Sequence, residues 1–339
     1  MKKSIIIILG LLLISQFNVQ AQGVTKVGTT AAGFLGIDMG PRGTAMGGAY
    51  VSVVNDVSAM YWNPAGIARI DGFESNFTSS KWIADLTMNY AGMVLPLGGL
   101  GTVGLNATFL TMDQMDRTTI AYPEGTGESF DAGCYAFGLC YARNLTDQFS
   151  IGMNAKYINE RYYHSSATGF ALDVGTLFDT RFYGFIIGMS ISNYGTKMQL
   201  NGQDMQVQHD IDVSVNGNNP NINARLMADS YDLPLLFRVG ISTDVLKGWA
   251  KSNLILAIDA LHPNDDVEYV NVGCEYVFNN LIALRVGYKG LFAKDSEQGL
   301  NFGGGIRYEI GGTRLNFDYS YISFGILNNV HMMGIGLGL

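Results

Sequence analysis

The residues that could do chemistry in this 339-residue chain are few and scattered. Four histidines, His164, His209, His262 and His331, show no HxH or HExxH spacing, so a zinc site has no local framework. Three cysteines, Cys134, Cys140 and Cys274, include no CxxC pair. Gly99-Leu100-Gly101-Thr102-Val103-Gly104 matches the GxGxxG spacing of dinucleotide-binding turns. An alternating strand, Leu105 to Leu110, follows it where that chemistry requires a helix. Asn264-Asp265-Asp266 and His209-Asp210-Ile211-Asp212 could offer oxygen ligands to a weakly held calcium ion, but solvated loop charge is the expected reading. No GxSxG is present, and no nucleophile has a recognisable base. Neither catalysis, a resident metal nor a cofactor is expected.

What remains is charge in the second half of the chain. Arg238, Asp259, Glu275, Arg285, Lys289, Arg307, Glu309, Arg314 and Asp318 lie on neighbouring segments. Mixed signs in similar numbers predict mutual pairing in an enclosed polar space rather than a one-signed conduction ladder. The net charge is −8, and no Lys/Arg cluster exists beyond Lys2-Lys3. Nucleic-acid binding through a basic patch is thereby excluded.

The elements that position these charges read as strands. Glycine is abundant at 43 residues, charged residues are only 15%, and aromatics reach 12%. Such a chain is neither disordered nor a typical cytosolic enzyme. Lys2-Lys3, an apolar run from Ile5 to Ile14 and the stretch ending Val19-Gln20-Ala21 form a secretory signal peptide over 1–21, cut before Gln22. That run is half the length a spanning helix needs, and no later apolar window is long enough.

From residue 73 to 339 the pattern alternates with period two. Ile282, Leu284, Val286 and Tyr288 share one face, while Ala283, Arg285, Gly287 and Lys289 share the other. Ile151, Met153, Ala155 and Tyr157 likewise oppose Gly152, Asn154 and Lys156. A bulky aromatic face opposite a face of glycine and charge predicts an all-β, transmembrane antiparallel barrel, lipid outside and polar lumen inside. Fourteen such segments are counted, an even number as bacterial barrels have. Cys134 and Cys140 sit six residues apart on one strand, ~20 Å at 3.3 Å per residue, too far for a disulfide. Two connections, 113–130 and 195–229, are long and are expected to face outward. Within the second, Met198, Leu200, Met205 and Val207 stand among Asn, Gln and Asp residues as candidates for contact with a partner.

Residues 22–72 precede the barrel and are not another strand. Gly47-Gly48 allows positive φ or close backbone approach. Asp56 to Met60 is suited to one helical turn, and Asn63-Pro64 starts a helix, with Asn as cap and Pro as first residue. A short helical segment here must sit in the lumen or over its mouth, because lipid tolerates no loose backbone. A plug, or a hatch able to open, is expected.

Arg42 to Met46, Gly47-Gly48-Ala49-Tyr50-Val51, Asn55-Asp56 and Tyr61-Trp62-Asn63-Pro64-Ala65-Gly66 resemble the N-terminal signature of the PorV/PorQ family of Bacteroidota outer-membrane proteins. The shorter Asn63-Pro64-Ala65-Gly66 is similar to the hatch motif of FadL-type transporters of hydrophobic compounds. The first resemblance implies a non-enzymatic accessory of type IX secretion. It would sit beside the translocon barrel and engage the C-terminal sorting domains of exported proteins. The second implies a carrier of hydrophobic small molecules. Both imply a FadL-like barrel in contact with outer-membrane lipid.

Overall fold

The computed structural model describes residues 26–211, 214, 219, 221–247, 252–293, 296–327 and 329–339. The expected leader and its cut before Gln22 lie outside the described residues, as do Asp212, Val213, Asn216 to Asn218 and Pro220. Fourteen strands follow the plug: β1 (Glu74–Lys81), β2 (Thr87–Pro96), β3 (Thr102–Thr111), β4 (Ala132–Asn144), β5 (Phe149–Tyr162), β6 (Ser165–Asp179) and β7 (Ile186–Gly195), then β8 (Leu236–Asp244), β9 (Asn253–Pro263), β10 (Tyr269–Phe278), β11 (Ile282–Leu291), β12 (Leu300–Ile310), β13 (Thr313–Ser323) and β14 (Asn329–Gly338). Each pairs antiparallel with the next, and β1 pairs with β14 from Glu74↔Gly338 to Lys81↔His331. The sheet closes and no edge is left.

Alternation sets the two faces. Leu284, Val286 and Tyr288 are exposed on the outer surface, while Ala283 and Arg285 are buried inside. Cys134 and Cys140 are free and buried with Ala136 and Ala142 on the lumen side. The two long connections, 112–131 and 196–235, emerge at one end of the barrel. Short turns, such as 145–148 and 311–312, close the other.

The second long connection folds onto the barrel. Met198–Gln199 pairs with Ser230–Tyr231, Asn201–Gly202 extends β6 at Ser165–Ser166, and Gln206–His209 pairs with Ile222–Arg225. This corrects the expectation for Met198, which is 1% exposed and packs with Phe34, Leu35 and Leu233 in the core. Leu200 packs against the same cluster. An apolar side chain in a polar loop covers the plug at these two positions. Met205 is half-buried, and Val207 remains exposed.

The plug runs down the lumen from the long-loop end. There Ala31 N donates to Asp232 O at 2.9 Å, and Thr30 Oγ1 to Asp265 Oδ2 at 2.8 Å. Two short helices follow, α1 (Pro41–Ala45) and α2 (Ala59–Trp62), then a 3-10 turn at Pro64–Arg69. At the short-turn end Asn144 Nδ2 donates to Ala68 O at 2.9 Å. The helix expected from Asp56 begins three residues later, at Ala59. The Asp56 side chain takes the Ser58 N–H and hydroxyl, which makes residues 56–58 a side-chain turn rather than helix.

Candidate functional site: the clamped plug

The plug meets the wall through buried charge. Arg42 on α1 is 8% exposed and makes a forked pair with Glu275 of β10, Nε to Oε2 at 2.8 Å and Nη2 to Oε1 at 2.7 Å. Its remaining nitrogen, Nη1, reaches Asn55 Oδ1 at 2.6 Å and Asp56 Oδ2 at 3.1 Å. Glu275 also accepts from Arg285 Nε at 2.6 Å, and Arg285 Nη1 binds Asp318 Oδ1 at 2.6 Å. The chain Asp56–Arg42–Glu275–Arg285–Asp318 therefore links the plug to β10, β11 and β13. Planar forks hold direction as well as charge.

Asp56 is the centre of the plug's own fold. Besides Arg42 and Ser58 it accepts from the Tyr50 hydroxyl at 2.5 Å. Burial works to raise its carboxyl, but Arg42, Ser58 and Tyr50 together hold it below the ordinary carboxylate value. Burial pushes the Tyr50 and Tyr61 phenols up, so both stay neutral donors. Tyr61 and Trp62 present ring faces to Arg238 of β8, 5.6 and 5.4 Å from its guanidinium carbon. Trp62 Nε1 donates to Met39 O at 2.7 Å.

Two further wall contacts fix the plug backbone. Asp259 of β9 accepts from Tyr50 N and Val51 N at 2.7 and 2.8 Å. Asn63 is fully buried, and its amide bridges Val51 O at 2.9 Å and Thr176 O of β6 at 3.0 Å, while its oxygen caps Ala65 N at 3.2 Å. Pro64 then opens the 3-10 turn, and Ala65 and Gly66 are buried within it. Replacing Asn63 with alanine leaves two buried carbonyls and one N–H with one partner fewer. A loss of about 2–3 kcal/mol is expected, read as a lower unfolding temperature with the barrel pattern intact in circular dichroism.

Glycines let the plug backbone reach the wall. Gly47 and Gly48 have φ of 66° and 78°. A Cβ on Gly47 would lie 2.7 Å from Tyr288 N. The wall answers with cross-strand glycine pairs, Gly152↔Gly175, Gly188↔Gly240 and Gly273↔Gly287. A Cβ on Gly287 would strike Met46 C and Gly47 N, and one on Gly175 would strike Asn63 Oδ1. The small-residue face of the strands is thus largely the footprint of the plug.

Not every expected lumen charge joins this network. The side chains of Arg307 and Glu309 make no ion pair or hydrogen bond among the described residues, although Arg307 N donates to Leu281 O at 2.8 Å, and Glu309 is exposed near the β12–β13 turn. Several plug contacts escaped the sequence. Lys289 Nζ binds Asp38 Oδ2 at 2.5 Å, and Asn154 Nδ2 donates to Met60 O at 3.2 Å. Lys156 and Asp173 pair at 2.8 Å across β5 and β6. Lys156 and Asn154 stood on the small-residue face, which was the available signal. Among the described residues no three His, Cys, Asp or Glu side chains gather as a metal site.

No family model matches the sequence, and no curated protein does. Solved structures do. The toluene transporter TbuX of Ralstonia pickettii is 11% identical, with a TM-score of 0.53 over 88% of this chain and 97% of that one. A FadL homologue of Pseudomonas aeruginosa is 12% identical at 0.53, over 88% and 98%. The toluene transporter TodX of Pseudomonas putida is 11% identical at 0.53, over 88% and 97%. The fold is that of a FadL-like outer-membrane barrel.

Proposed function

We propose that this protein is a closed outer-membrane barrel that works through its outer surface, as a PorV/PorQ-type accessory of type IX secretion. The observation that carries the reading is the clamp. Ion pairs and backbone contacts tie the plug to strands around the lumen, so the barrel's long loops and wall are its working surfaces. The resemblance of Arg42 to Gly66 to the PorV/PorQ signature supplies the partner class: a translocon barrel and the C-terminal sorting domains of exported proteins. The outer connection offers them Val207, Ile211, Ile222, Leu226 and Met227, all exposed. Exposed apolar side chains on a polar loop suit a protein partner.

The test is affinity capture of the tagged protein from gently solubilised outer membranes, with proteins and lipids identified by mass spectrometry. A very large barrel or exported proteins with sorting domains are expected. Excising residues 206–225 and joining the ends with two glycines should abolish that capture. The splice is local, because Leu226 N already donates to Met205 O at 2.8 Å. The shortened barrel should still migrate faster unboiled than boiled. Unchanged capture removes this hairpin from the mechanism.

One observation favours a second reading. The toluene transporters TbuX and TodX share the fold, and a carrier of hydrophobic small molecules would use the same plug as its hatch. Recovery of a stoichiometric hydrophobic ligand with no protein partner would select it.

A further inference from the structure

Beneath the plug, on the periplasmic side, the lumen holds a polar chamber that the clamp does not use. Its wall is a grid of side chains in register. One row across β12, β13, β14 and β1 reads Arg307, Asn316, Gly336, Asn76, and the row above it Gly305, Asp318, Gly334, Thr78. The β14 positions are glycines, so the floor is bare backbone between two polar walls. Pro41 and Arg42 of α1 form the ceiling, and Asn280 and Leu281 of the β10–β11 turn lie at the mouth. The cavity measures 70 Å³, room for a few waters or a small anion.

Charge there is unbalanced in a particular way. Every carboxylate bordering the chamber is engaged: Asp56 and Glu275 by Arg42, Asp318 by Arg285, and Glu74 by Arg314 Nη2 at 2.8 Å. Arg307 alone among the lining guanidiniums makes no ion pair and no side-chain hydrogen bond among the described residues, feeling Glu275 and Asp318 only at longer range. Among the chamber's lining residues, Thr78 Oγ1, Asn76 Oδ1 and Asn316 Oδ1 are buried with no partner. Thr78 is 2% exposed. A half-buried guanidinium without an ion pair, beside idle polar groups, is costly unless something negative completes it.

We propose that this chamber binds a small oxyanion or carboxylate entering from the periplasm. Arg307 supplies the charge, and the Thr78 hydroxyl donates a hydrogen bond. The amide oxygens of Asn76 and Asn316 accept from water carried with the anion. The site is independent of the proposed role in secretion, because it faces away from the outer loops.

The experiment uses the full barrel purified in detergent. Its unfolding midpoint is followed by heat-dependent gel migration while phosphate, acetate or chloride is titrated at fixed ionic strength. Phosphate or acetate should raise the midpoint and chloride should not. The stronger of the two identifies an inorganic oxyanion or a carboxylate as the ligand. Arg307→Gln should weaken the apparent affinity by at least about tenfold, the loss of one charge-assisted hydrogen bond. Gly336→Leu gives a second route, since a Cβ there meets nothing nearer than 3.4 Å, and its side chain fills the chamber. It should abolish the anion effect while leaving the midpoint in chloride near the wild-type value. No rise in the wild type, or an equal rise in the variant that folds, overturns the site.

Discussion

Glu275→Leu should release the plug. The substitution removes the shared partner of Arg42 and Arg285, both buried. Arg285 keeps Asp318 at 2.6 Å and loses one bond, while Arg42 keeps Asp56 at 3.1 Å but loses both bonds of its fork, so the larger deficit falls on Arg42. Breaking one side of a buried pair costs about 3–5 kcal/mol, because the remaining charge stays desolvated. The wall strands hold each other through closed ladders, so the cost should appear as displacement of the plug rather than loss of the barrel. Single-channel conductance in planar bilayers should rise from near silence to frequent openings, and cells should become sensitive to large antibiotics. The double variant Arg42→Met with Glu275→Leu removes both charges and should recover most of the closed state. If the double variant leaks as much as Glu275→Leu alone, the pair is not what closes the lumen.

A comparable effect is expected from Gly287→Leu, by sterics alone. The new side chain would occupy the space of the Met46–Gly47 peptide. Backbone cannot swing aside as a flexible side chain can. Overpacking of this kind costs about 1–3 kcal/mol when neighbours adjust, and more when they are main chain. Gly304→Leu is the control, because a Cβ there lies 3.3 Å from a single carbonyl, Ala283 O, and meets no plug atom. The first variant should conduct and the second should stay silent. Equal silence would show that the plug can shift along the wall without cost.

The barrel was legible because two solvents act on alternate residues. The barrel's outside selects Leu284, Val286 and Tyr288, and the lumen selects Ala283, Arg285 and Gly287, so period two survives in the sequence. The plug was legible for a local reason, since Asn63 and Pro64 announce a helix start within two residues. The clamp was not. Arg42 and Glu275 are 233 residues apart, and no spacing rule connects a charge on a plug to one on a strand. The glycines misled in an instructive way. In Gly152, Gly175 and Gly273 the sequence shows only smallness, which suits a crowded lumen and a docking groove alike. Register aligns them across strands, and only then does the contact with the plug emerge. Met198 and Leu200 failed for a related reason. A methionine among amides carries no mark that tells a surface awaiting a partner from a lid over the core.

The direction in which the plug runs bears on how the molecule is built. Residues near Ala31 sit at the long-loop mouth, and the chain then descends to enter β1 at the short-turn end. Its contacts reach from Gly92 of β2 to Gly334 of β14. The first-made segment thus touches strands that are synthesised at widely separated times and that are not one another's neighbours. A closed ring with its seam between β1 and β14 offers no sideways entry once sealed. A plug already inside when the seam zips would let the wall gather around it as staves around a mandrel. Substitutions in Arg42 or Gly47 would then lower the yield of assembled barrel even where a finished one could tolerate them.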